Sequence, residues 1–566
     1  FTMEHSFSNP DKWTSETPNL YDLTMELINS KGKTIDRVVT KIGFKETEIR
    51  GNTFYLNGVP VKINGINSHM QHPTSGHTMD EATIRQDFEL LKQFNFNAVR
   101  TSHYPPVSKY LELANEYGLF IIDETGDEAH ATEYVSEMPD YIPMYLDRVQ
   151  CMVLRDRNYP CILLWSAGNE SGEGENITKV IQEGKRLDPT RYWMYGGNAD
   201  THPGEDIVGP RYPTPVELEM KFGLDSNDQR PSFMDEYISV AGNGGGGLDD
   251  YWRVIYAHPR LMGGAIWDFV SPGLTAPVRR LKDLSPYNTP VNIMGHARLV
   301  NSNHGKAIDL NGHDQWIEIY RSDNLELTGD QLTLALDVYP RQLNRSGGAL
   351  ITKGNHQFGL EQQGQDSIAF YIYTGRKFLL TAALPGNWEH NWHQMTAMYD
   401  GSKMQLIIDG AIAATMPATG SIQNLPFPVN IGRNVETQGQ DTKNYTADAL
   451  IDRVGIFTST DPAVLSDPGK AALWLDFEDE TDDGHFFTYG IGARTYGTIW
   501  PDRKPQPEMW QMKHSGQPLS FRLEEAETGL VEVWNHSNFT PANHWTTTWT
   551  LTADNDTLQS GTLNLE

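Results

Sequence analysis

Residues 161–170 read CILLWSAGNE, an apolar run that ends in small and polar residues and a carboxylate, Glu170. A short, unbroken apolar run predicts a strand that is buried on both faces, as in a parallel sheet. Seven similar segments surround it, separated by stretches of helical periodicity. They are VKINGIN (61–67), AVRTSHY (98–104), FIIDE (120–124), YWMYGG (192–197), DIVGPRY (206–212), SFMDEY (232–237) and GGAIWDFV (263–270).

Eight strands that alternate with helices predict a (β/α)₈ TIM barrel, which we place at residues 47–290. The stretch TIRQDFELLKQF (83–94) is a typical intervening helix, because Ile84, Phe88 and Leu91 recur at helical spacing. Polar or aromatic side chains stand at nearly every strand end, and the carboxyl ends of barrel strands share one face. These residues are His69, His103, Glu124, Glu170, Asn198, Tyr212, Glu236 and Trp267.

The regions around the barrel are all-β by pattern, so the predicted fold is multidomain, with β-sandwich domains flanking the barrel. Residues 1–46 alternate apolar and polar side chains, which predicts the last strands of one sandwich. Residues 291–475 carry short strands with turn residues every 8–12 positions, which predicts an inserted sandwich. Residues 476–566 combine a loop-rich segment with the start of a C-terminal sandwich.

The chain is strongly acidic, since 45 Lys and Arg against 74 Asp and Glu give a net charge of −29 over 566 residues. Phosphate backbones and anionic lipid surfaces repel such a chain, which argues against nucleic acid and membrane as partners. No apolar run in the sequence approaches the ~20 residues of a membrane span. Cys151 and Cys161 are too few for a disulfide framework, and we expect both to serve ordinary packing.

Two of the strand-end residues are carboxylates that suit glycoside cleavage. That reaction needs one carboxylic acid to protonate the leaving oxygen and a second carboxylate to attack, or to activate water, on the opposite ring face. Glu170 ends the fourth strand and Glu236 the seventh, so we expect them across the barrel mouth from each other. Asp123, Glu124 and Asp235 stand nearby without an assigned role, and strand alternation directs Asp235 to the face opposite Glu236.

Long motifs carry a family resemblance. They are NPDKWTSETPNLYDL, YLNGVPVKINGINSHMQHP, FNAVRTSHYP, GLFIIDE, RDRNYPCILLWSAGNESG, MDEY, PRLMGGAIWDFV and YGTIWPDRKPQP. Over residues 8–272 and 486–513 the chain resembles the bacterial β-galactosidase type of glycoside hydrolase family 2. The resemblance implies a retaining exo-β-galactosidase that acts on oligo- or polysaccharides with terminal β-galactose. It makes Glu236 the nucleophile that forms a covalent glycosyl-enzyme and Glu170 the acid/base.

The resemblance also assigns the substrate contacts, residue by residue. Asn169 corresponds to the family's contact with the sugar 2-hydroxyl, an interaction expected to strengthen in the transition state. His69 and His103 correspond to strand-end histidines that steady the transition state and the hydroxyls. Tyr212 corresponds to the tyrosine that orients the nucleophile, and Trp267 to the aromatic floor under the sugar.

A magnesium site is implied as well. Glu128 and His130, in DETGDEAHA, align with the family's Mg²⁺ ligands, and Glu170 is the third, although the flanking sequence departs from the usual form. Carboxylates with a single histidine suit a hard ion at a wet site.

Three departures from the family pattern concern the pocket for the sugar 6-position. Ser239 stands where the family has a histidine, and Ala493 and Tyr496 stand where it has a Phe and an Asn that hold Na⁺ and O6. We expect the Na⁺ site to be lost and the pocket to accept a galactose with a 6-substituent, such as a methyl ether, or a differently shaped sugar. The alternative is neutral drift within an ordinary β-galactosidase.

The flanking regions resemble known modules too. The stretches HGKAIDLNGHDQWIEI and NWHQMTAMYDGSKMQLIIDG resemble laminin-G/concanavalin-like sandwiches, which bind glycans in some proteins and act as spacers in others. The resemblance makes residues 1–46 the C-terminal part of an Ig-like domain. We expect the chain to be part of a longer protein in which the family's jelly-roll domain comes first and contributes to the sugar pocket.

Two other functions stay open. One is another activity of the family, β-glucuronidase or β-mannosidase; a glucuronidase needs a cationic anchor for the sugar carboxylate, and the family's Asn-x-Lys motif is not evident. The other is a catalytically silent glycan-binding protein. The compartment (periplasmic, secreted or cytoplasmic) and the formation of an oligomer are open as well.

Overall fold

The computed structural model describes residues 5–197, 199, 202–241, 244–341, 348–436, 446–489 and 497–565, with the backbone alone at 482–483 and 486–489. The chain forms two compact units. The first consists of Phe1–Leu274 with Ala493–Glu566, and the second of Thr275–Gly492. Among the described residues, no helix combines the length and the apolar character needed to cross a membrane.

A parallel barrel forms the centre of the first unit and confirms the predicted TIM-barrel fold. Its strands neighbour one another in the order β5-β4-β3-β2-β1-β7-β6. They are β1 Ile63–Ser68, β2 Ala98–Thr101, β3 Phe120–Glu124, β4 Ile162–Asn169, β5 Tyr192–Gly196, β6 Ser232–Tyr237 and β7 Leu261–Ile266. Almost every residue of these strands is buried, which explains the unbroken apolar runs.

The eighth position of the barrel is filled by a segment with minimal pairing. The predicted strand 206–212 makes a single parallel bridge, between Val208 and Ser232 of β6. On its other side the Asp206 N–H donates to the carbonyl of Trp193 in β5 at 2.8 Å. The segment therefore closes the barrel between β5 and β6 without a continuous ladder, and its last residues leave the wall at the barrel mouth.

Helices alternate with the barrel strands. They are α1 Glu81–Gln93, α2 Ser108–Tyr117, α3 Ile142–Asp156, α4 Glu175–Leu187 and α5 Leu248–Ala257, with short helical turns at Glu133–Glu137, Pro139–Tyr141, Pro215–Glu217 and Leu218–Gly223. Helix α1 confirms the predicted helix at 83–94: Asp80 caps it by accepting the N–H of Thr83. Its apolar face, including Ile84, Phe88 and Leu91, is buried in the core of the first unit.

One glycine is required by the close packing of the barrel wall. Gly263 in β7 has φ +126°, and a Cβ there would lie 2.1 Å from the carbonyl oxygen of Ile63 in β1. Any side chain at this position would push apart two neighbouring strands of the barrel, so the Gly-Gly pair in PRLMGGAIWDFV serves the backbone.

Small antiparallel sheets complete the first unit. Strands Tyr21–Ile28 and Thr34–Ile42 form one hairpin, and Thr47–Arg50, Thr53–Leu56 and Val59–Pro60 form a small sheet before β1. After the barrel come helix α6 Pro507–Ser515, a turn of 3₁₀ helix at Ala542–His544 and two hairpins. The hairpin strands are Leu519–Glu525 with Leu530–Asn535, and Thr547–Ala553 with Asp556–Leu563.

The second unit is an antiparallel β-sandwich with its own buried core, as predicted. One sheet contains Gly273–Leu281, Val291–Met294, Trp316–Ile319, Gly348–Thr352, Phe358–Gln363, Ser367–Tyr373, Lys377–Ala383, Val429–Ile431 and Glu480–Tyr489. The other contains Arg298–Ser302, Gly305–Asn311, Leu332–Pro340, His393–Tyr399, Lys403–Ile408, Ala411–Pro417, Asp448–Phe457 and Leu473–Leu475, and 3₁₀ turns lie at Asp323–Leu325 and Pro468–Lys470. This unit is wider than the predicted insert of 291–475, because the strands at 273–281 and 480–489 pair within its first sheet.

The segment after the sandwich returns to the barrel and is fastened by a buried ion pair. Ile499 bridges Val270, just beyond β7. Arg503 places Nε 2.9 Å and Nη2 3.1 Å from the two carboxylate oxygens of Asp87 in α1, and both side chains are almost completely buried. The motif IWPDRKPQP (499–507) is thus part of the first unit, although 222 residues of the chain lie between Leu274, before the sandwich, and Gly497, after it.

We predict that Arg503→Met lowers the free energy of unfolding by about 3–5 kcal/mol, because it leaves the Asp87 carboxylate buried without its cation. Lys504→Met is the matched control, since the Lys504 side chain is 78% exposed and its pair with Asp502 lies at the surface. Urea unfolding of both variants measures the difference. A loss below about 1 kcal/mol for Arg503→Met would contradict a structural role for the pair.

Candidate active site

Glu170 is the first residue beyond β4 and lies at the barrel mouth. It adopts a left-handed backbone with φ 38°, and its N–H donates to the carbonyl of Gly196 at 2.8 Å. One carboxylate oxygen, Oε1, lies 2.7 Å from Nη1 of Arg211, and the other, Oε2, lies 2.6 Å from Nδ1 of His130. Burial opposes the charge of Glu170, but Arg211 and His130 outweigh it and lower the pKa of the carboxyl.

Glu236 is the penultimate residue of β6, and two hydrogen bonds and a longer ion pair hold its carboxylate. The Tyr212 hydroxyl donates to Oε2 at 2.7 Å and Arg100 Nη1 donates to Oε1 at 3.1 Å, while Arg211 Nη2 lies 3.6 Å from Oε1. The Tyr212 N–H also donates to the carbonyl of Glu236 at 2.9 Å, and Tyr212 is left-handed with φ 47°. Non-glycine residues in this conformation are strained, and such residues cluster at functional sites.

A fully buried arginine, Arg100 of β2, lies beneath the site. Its Nε donates to Glu124 Oε2 at 2.8 Å, Nη1 to Asn67 Oδ1 at 2.8 Å and Nη2 to Asn169 Oδ1 at 2.9 Å. Burial disfavours the Glu124 carboxylate, but the charge of Arg100 and the hydrogen bond with His103 lower its pKa to about 2. Glu124, to which the sequence assigned no role, is therefore the permanent counter-ion of Arg100.

A second arginine, Arg211, also belongs to the site and was missed from the sequence. Its Nη2 donates to Asn169 Oδ1 at 2.5 Å and forms an ion pair with Asp235. The prediction that Asp235 lies on the face opposite Glu236 is wrong, because one guanidinium contacts Asp235 and also lies beside Glu236. Burial raises the pKa of Asp235, and Arg211 and Arg100 oppose that shift.

An aromatic and imidazole wall stands beside the carboxylates, where His69, His103 and Trp267 come together. The His103 and Trp267 rings stack with centroids 5.1 Å apart, and His69 meets both rings edge-on at 5.4 and 5.6 Å. His103 Nδ1 lies 2.8 Å from Glu124 Oε1. Burial and the neighbouring His103 lower the pKa of His69 to about 3, so His69 is a neutral ring at physiological pH.

The predicted metal ligands come together on the exposed side of the site. Asn169 donates from Nδ2 to Glu128 Oε2 at 2.8 Å, and one donor atom from each of Glu128, His130 and Glu170 lies within 4.8 Å of the others. Two carboxylates and one imidazole at a solvent-accessible rim are a donor set that fits a hard divalent cation with bound water.

The other predicted positions are Asn198, Ser239, Ala493 and Tyr496. Ser239 is exposed just beyond β6. Asn198, Ala493 and Tyr496 lie outside the residues that the structure describes. A further carboxyl was missed: Asp268 follows Trp267, and burial together with the charge of Glu236 raises its pKa to about 8.

A (β/α)₈ barrel whose strand ends present two carboxylates, each surrounded by hydrogen-bond donors, has the architecture of a glycoside hydrolase. Residues 47–287 match the family described as glycosyl hydrolases family 2, TIM barrel domain, and residues 2–45 match a second domain of that family. The chain belongs to glycoside hydrolase family 2. Residues 311–461, in the second unit, match the concanavalin A-like lectin/glucanases superfamily.

Curated relatives share the barrel region. A β-galactosidase from Enterobacter cloacae is 40% identical over 287 residues, which are 48% of this chain and 28% of the relative. A β-galactosidase from Vibrio vulnificus is 39% identical over 279 residues, 47% of this chain and 27% of the relative. The chain thus spans less than a third of the length of these relatives. Among solved structures, a β-galacturonidase from Eisenbergiella tayi bound to galacturonate is 22% identical, with a TM-score of 0.41 over 46% of this chain and 53% of that one.

We predict that the free energy of unfolding falls less in Glu124→Gln than in the wild type as the pH is lowered from ~4.5 to ~2. The folded pKa of Glu124 is depressed from 4.5 to about 2. The carboxylate therefore stabilises the fold fully above pH ~4.5, and the contribution, about 3 kcal/mol, is lost as pH falls toward ~2.

Urea unfolding between pH 7 and pH 2 checks this, with Glu116→Gln on the exposed face of α2 as the control. In the wild type and the control the free energy of unfolding falls by about 3 kcal/mol more over that window than in Glu124→Gln. Parallel curves for all three proteins would show that Glu124 is not held as a carboxylate by Arg100.

Proposed function

We propose that the chain carries the catalytic barrel of a retaining exo-β-galactosidase that hydrolyses terminal β-galactosides of an oligo- or polysaccharide. The observation that carries the proposal is the pairing of Glu170 and Glu236 across one guanidinium, that of Arg211. The family resemblance implies retention, which needs two carboxyl groups that flank the sugar at a separation of ~5–5.5 Å, and one guanidinium within 3.6 Å of both keeps Glu170 and Glu236 close together. The identity to two β-galactosidases over the barrel supports the choice of galactose.

In the first step the proposed nucleophile is Glu236. One of its oxygens attacks the anomeric carbon while Glu170, protonated, gives its proton to the leaving oxygen. Arg100 and Tyr212 fix the Glu236 carboxylate before the substrate arrives, so little reorganisation is needed at the moment of attack. Asn169 lies next to Glu170 and is proposed to contact the 2-hydroxyl, and Trp267 to support the apolar face of the ring.

In the second step Glu170 changes role. As a carboxylate it takes a proton from water, the water oxygen bonds to the anomeric carbon, and the bond to Glu236 breaks. The surroundings of the two carboxylates suit this second step. Against the effect of burial, Arg211 and His130 lower the pKa of Glu170 and so favour its carboxylate form, and its side chain is 26% exposed and reachable by water, whereas that of Glu236 is 6% exposed.

The charge balance of the site favours a neutral sugar over a uronic acid. Both arginines that the structure describes here are already paired with carboxylates, Arg100 with Glu124 and Glu236, and Arg211 with Glu170 and Asp235. A glucuronide would add a further negative charge with no uncommitted cation among these residues, which is unfavourable in a buried site.

A divalent cation such as Mg²⁺ would be held by Glu128, His130 and Glu170. When bound, the ion supplies positive charge that stabilises anionic oxygen at the rim of the site. Glu170 would keep one oxygen, Oε1, toward Arg211, and Asn169 would keep its hydrogen bond to Glu128.

We predict that Glu236→Gln abolishes turnover of aryl β-galactosides, by at least about 10⁴-fold, because no covalent intermediate can form. Glu170→Gln lowers kcat/KM, which reports attack, by about 10²–10⁴-fold on phenyl β-galactoside and much less on the 2,4-dinitrophenyl galactoside, whose leaving group needs no proton. Initial rates with Glu116→Gln as control measure both effects. A catalytically silent glycan-binding protein would show no turnover in the wild type and unchanged sugar binding in Glu236→Gln.

We further propose that the sugar pocket accepts a galactose with a 6-substituent such as a methyl ether, because Ser239 replaces a histidine of the family's 6-position pocket, and Ala493 and Tyr496 replace the Phe and Asn that hold Na⁺ and O6 in the family. We predict a higher kcat/KM for 4-nitrophenyl 6-O-methyl-β-galactoside than for the plain galactoside. The size of the preference should be about 10–200-fold, the range for one methylene in an apolar pocket. If the plain galactoside is the better substrate, these three replacements are drift.

A further inference from the structure

Arg211 has no role in the two chemical steps described above, although its guanidinium contacts Glu170, Asn169 and Asp235 and lies beside Glu236. It reaches the mouth from the segment 206–212, which closes the barrel through one bridge only. Its side chain is 12% exposed, so the guanidinium is almost fully removed from water. A buried cation of this kind is kept only where it is paired on several sides.

Arg211 contacts one backbone carbonyl, that of Gly196 at 3.0 Å, and four side chains that belong to the catalytic apparatus or adjoin it. Nη1 lies 2.7 Å from Glu170 Oε1. Nη2 contacts Asn169 Oδ1 at 2.5 Å, pairs with Asp235, and lies 3.6 Å from Glu236 Oε1. The donor groups are Arg211 and His130 at Glu170, and Arg211, Arg100, Tyr212 and His103 at Glu236. The acidic neighbours are Glu128 at Glu170, and Asp235 and Asp268 at Glu236.

We propose that Arg211 is a positioning residue for the breakdown of the glycosyl-enzyme, an inference that rests on the proposed function. By holding Glu170 and Glu236 with one rigid, planar group, it keeps the base aimed at the anomeric carbon and places positive charge where the Glu236 carboxylate reappears. A guanidinium does this better than an ammonium, because its donors are fixed in a fork.

The chemistry of the second step explains why the positive charge of Arg211 assists the breakdown of the glycosyl-enzyme. Water gives its proton to Glu170, the water oxygen bonds to the anomeric carbon, and the electron pair of the broken bond stays on Glu236, which becomes a carboxylate again. Positive charge 3.6 Å from Oε1 stabilises this developing anion. In the first step the same carboxylate loses its charge, so Arg211 gives no such help to the attack.

Pre-steady-state kinetics with 2,4-dinitrophenyl β-galactoside separate the two steps, since the burst reports attack and the steady state reports breakdown. For Arg211→Met we expect an undiminished burst rate and a steady-state kcat lowered by about tenfold, with KM lowered equally. This loss is smaller than the 10²–10³-fold expected for removing a donor in direct contact with the developing anion, because Nη2 lies 3.6 Å from Glu236 Oε1, beyond hydrogen-bond distance. Mass spectrometry of the quenched reaction should show accumulated galactosyl-enzyme.

A double variant distinguishes the proposed role of Arg211 from a structural effect of leaving Asp235 without this cation. Arg211→Met leaves Asp235 buried beside a single cation, so Arg211→Met with Asp235→Asn removes both charges and restores neutrality; it should show the same burst and slow breakdown. Arg253→Met, on the exposed face of α5, is the control. Arg211→Lys should recover part of the kcat.

If the burst rate and the steady-state kcat fall together in both variants, or if neither falls, the inference is wrong. The proposed function is unaffected by either result. Absence of 4-nitrophenol or dinitrophenol release by the wild type overturns the proposed function, and this inference with it. An undiminished burst with slowed breakdown in both variants supports both.

Discussion

The buried guanidinium of Arg100 is the constraint on which the rest of the site depends. It holds Glu124 and Glu236 directly and fixes the amide of Asn169, which in turn donates to Glu128. Carboxylates at this depth are stable only when they are paired, because desolvation of an isolated charge costs several kcal/mol. The catalytic geometry is therefore a consequence of charge neutralisation inside the barrel.

Backbone conformation supports the same geometry. Glu170, Tyr212 and Ile238 all adopt positive φ, where a side chain costs on the order of 1–3 kcal/mol. Each of them lies where the chain leaves the barrel wall, and backbone hydrogen bonds between neighbouring strand ends hold two of them in place. Strand pairing below the mouth thus stabilises conformations that the isolated segments would not adopt.

Much of this arrangement could be predicted from the sequence, because parallel strands that are buried on both faces leave long apolar runs and end together at one face. The positions of Glu170, Glu236, His69, His103 and Trp267 followed from that rule. The failures involve pairing over long range. Alternation along one strand predicted that Asp235 points away from Glu236. Its partner Arg211, however, comes from another element, and no local pattern in the sequence indicates that pair.

The two central carboxylates are held in different ways, and this difference is itself an argument for double displacement. Glu236 is almost dry and is fixed by donors on both oxygens, as a nucleophile that must attack one carbon from one direction should be. Glu170 is more exposed, and one of its oxygens faces His130, whose side chain is 63% exposed. Water can therefore reach Glu170, the residue proposed to activate it, more easily than Glu236, the proposed nucleophile. In the inverting alternative the Glu236 carboxylate would itself have to activate water, and a side chain that is 6% exposed is poorly placed for that.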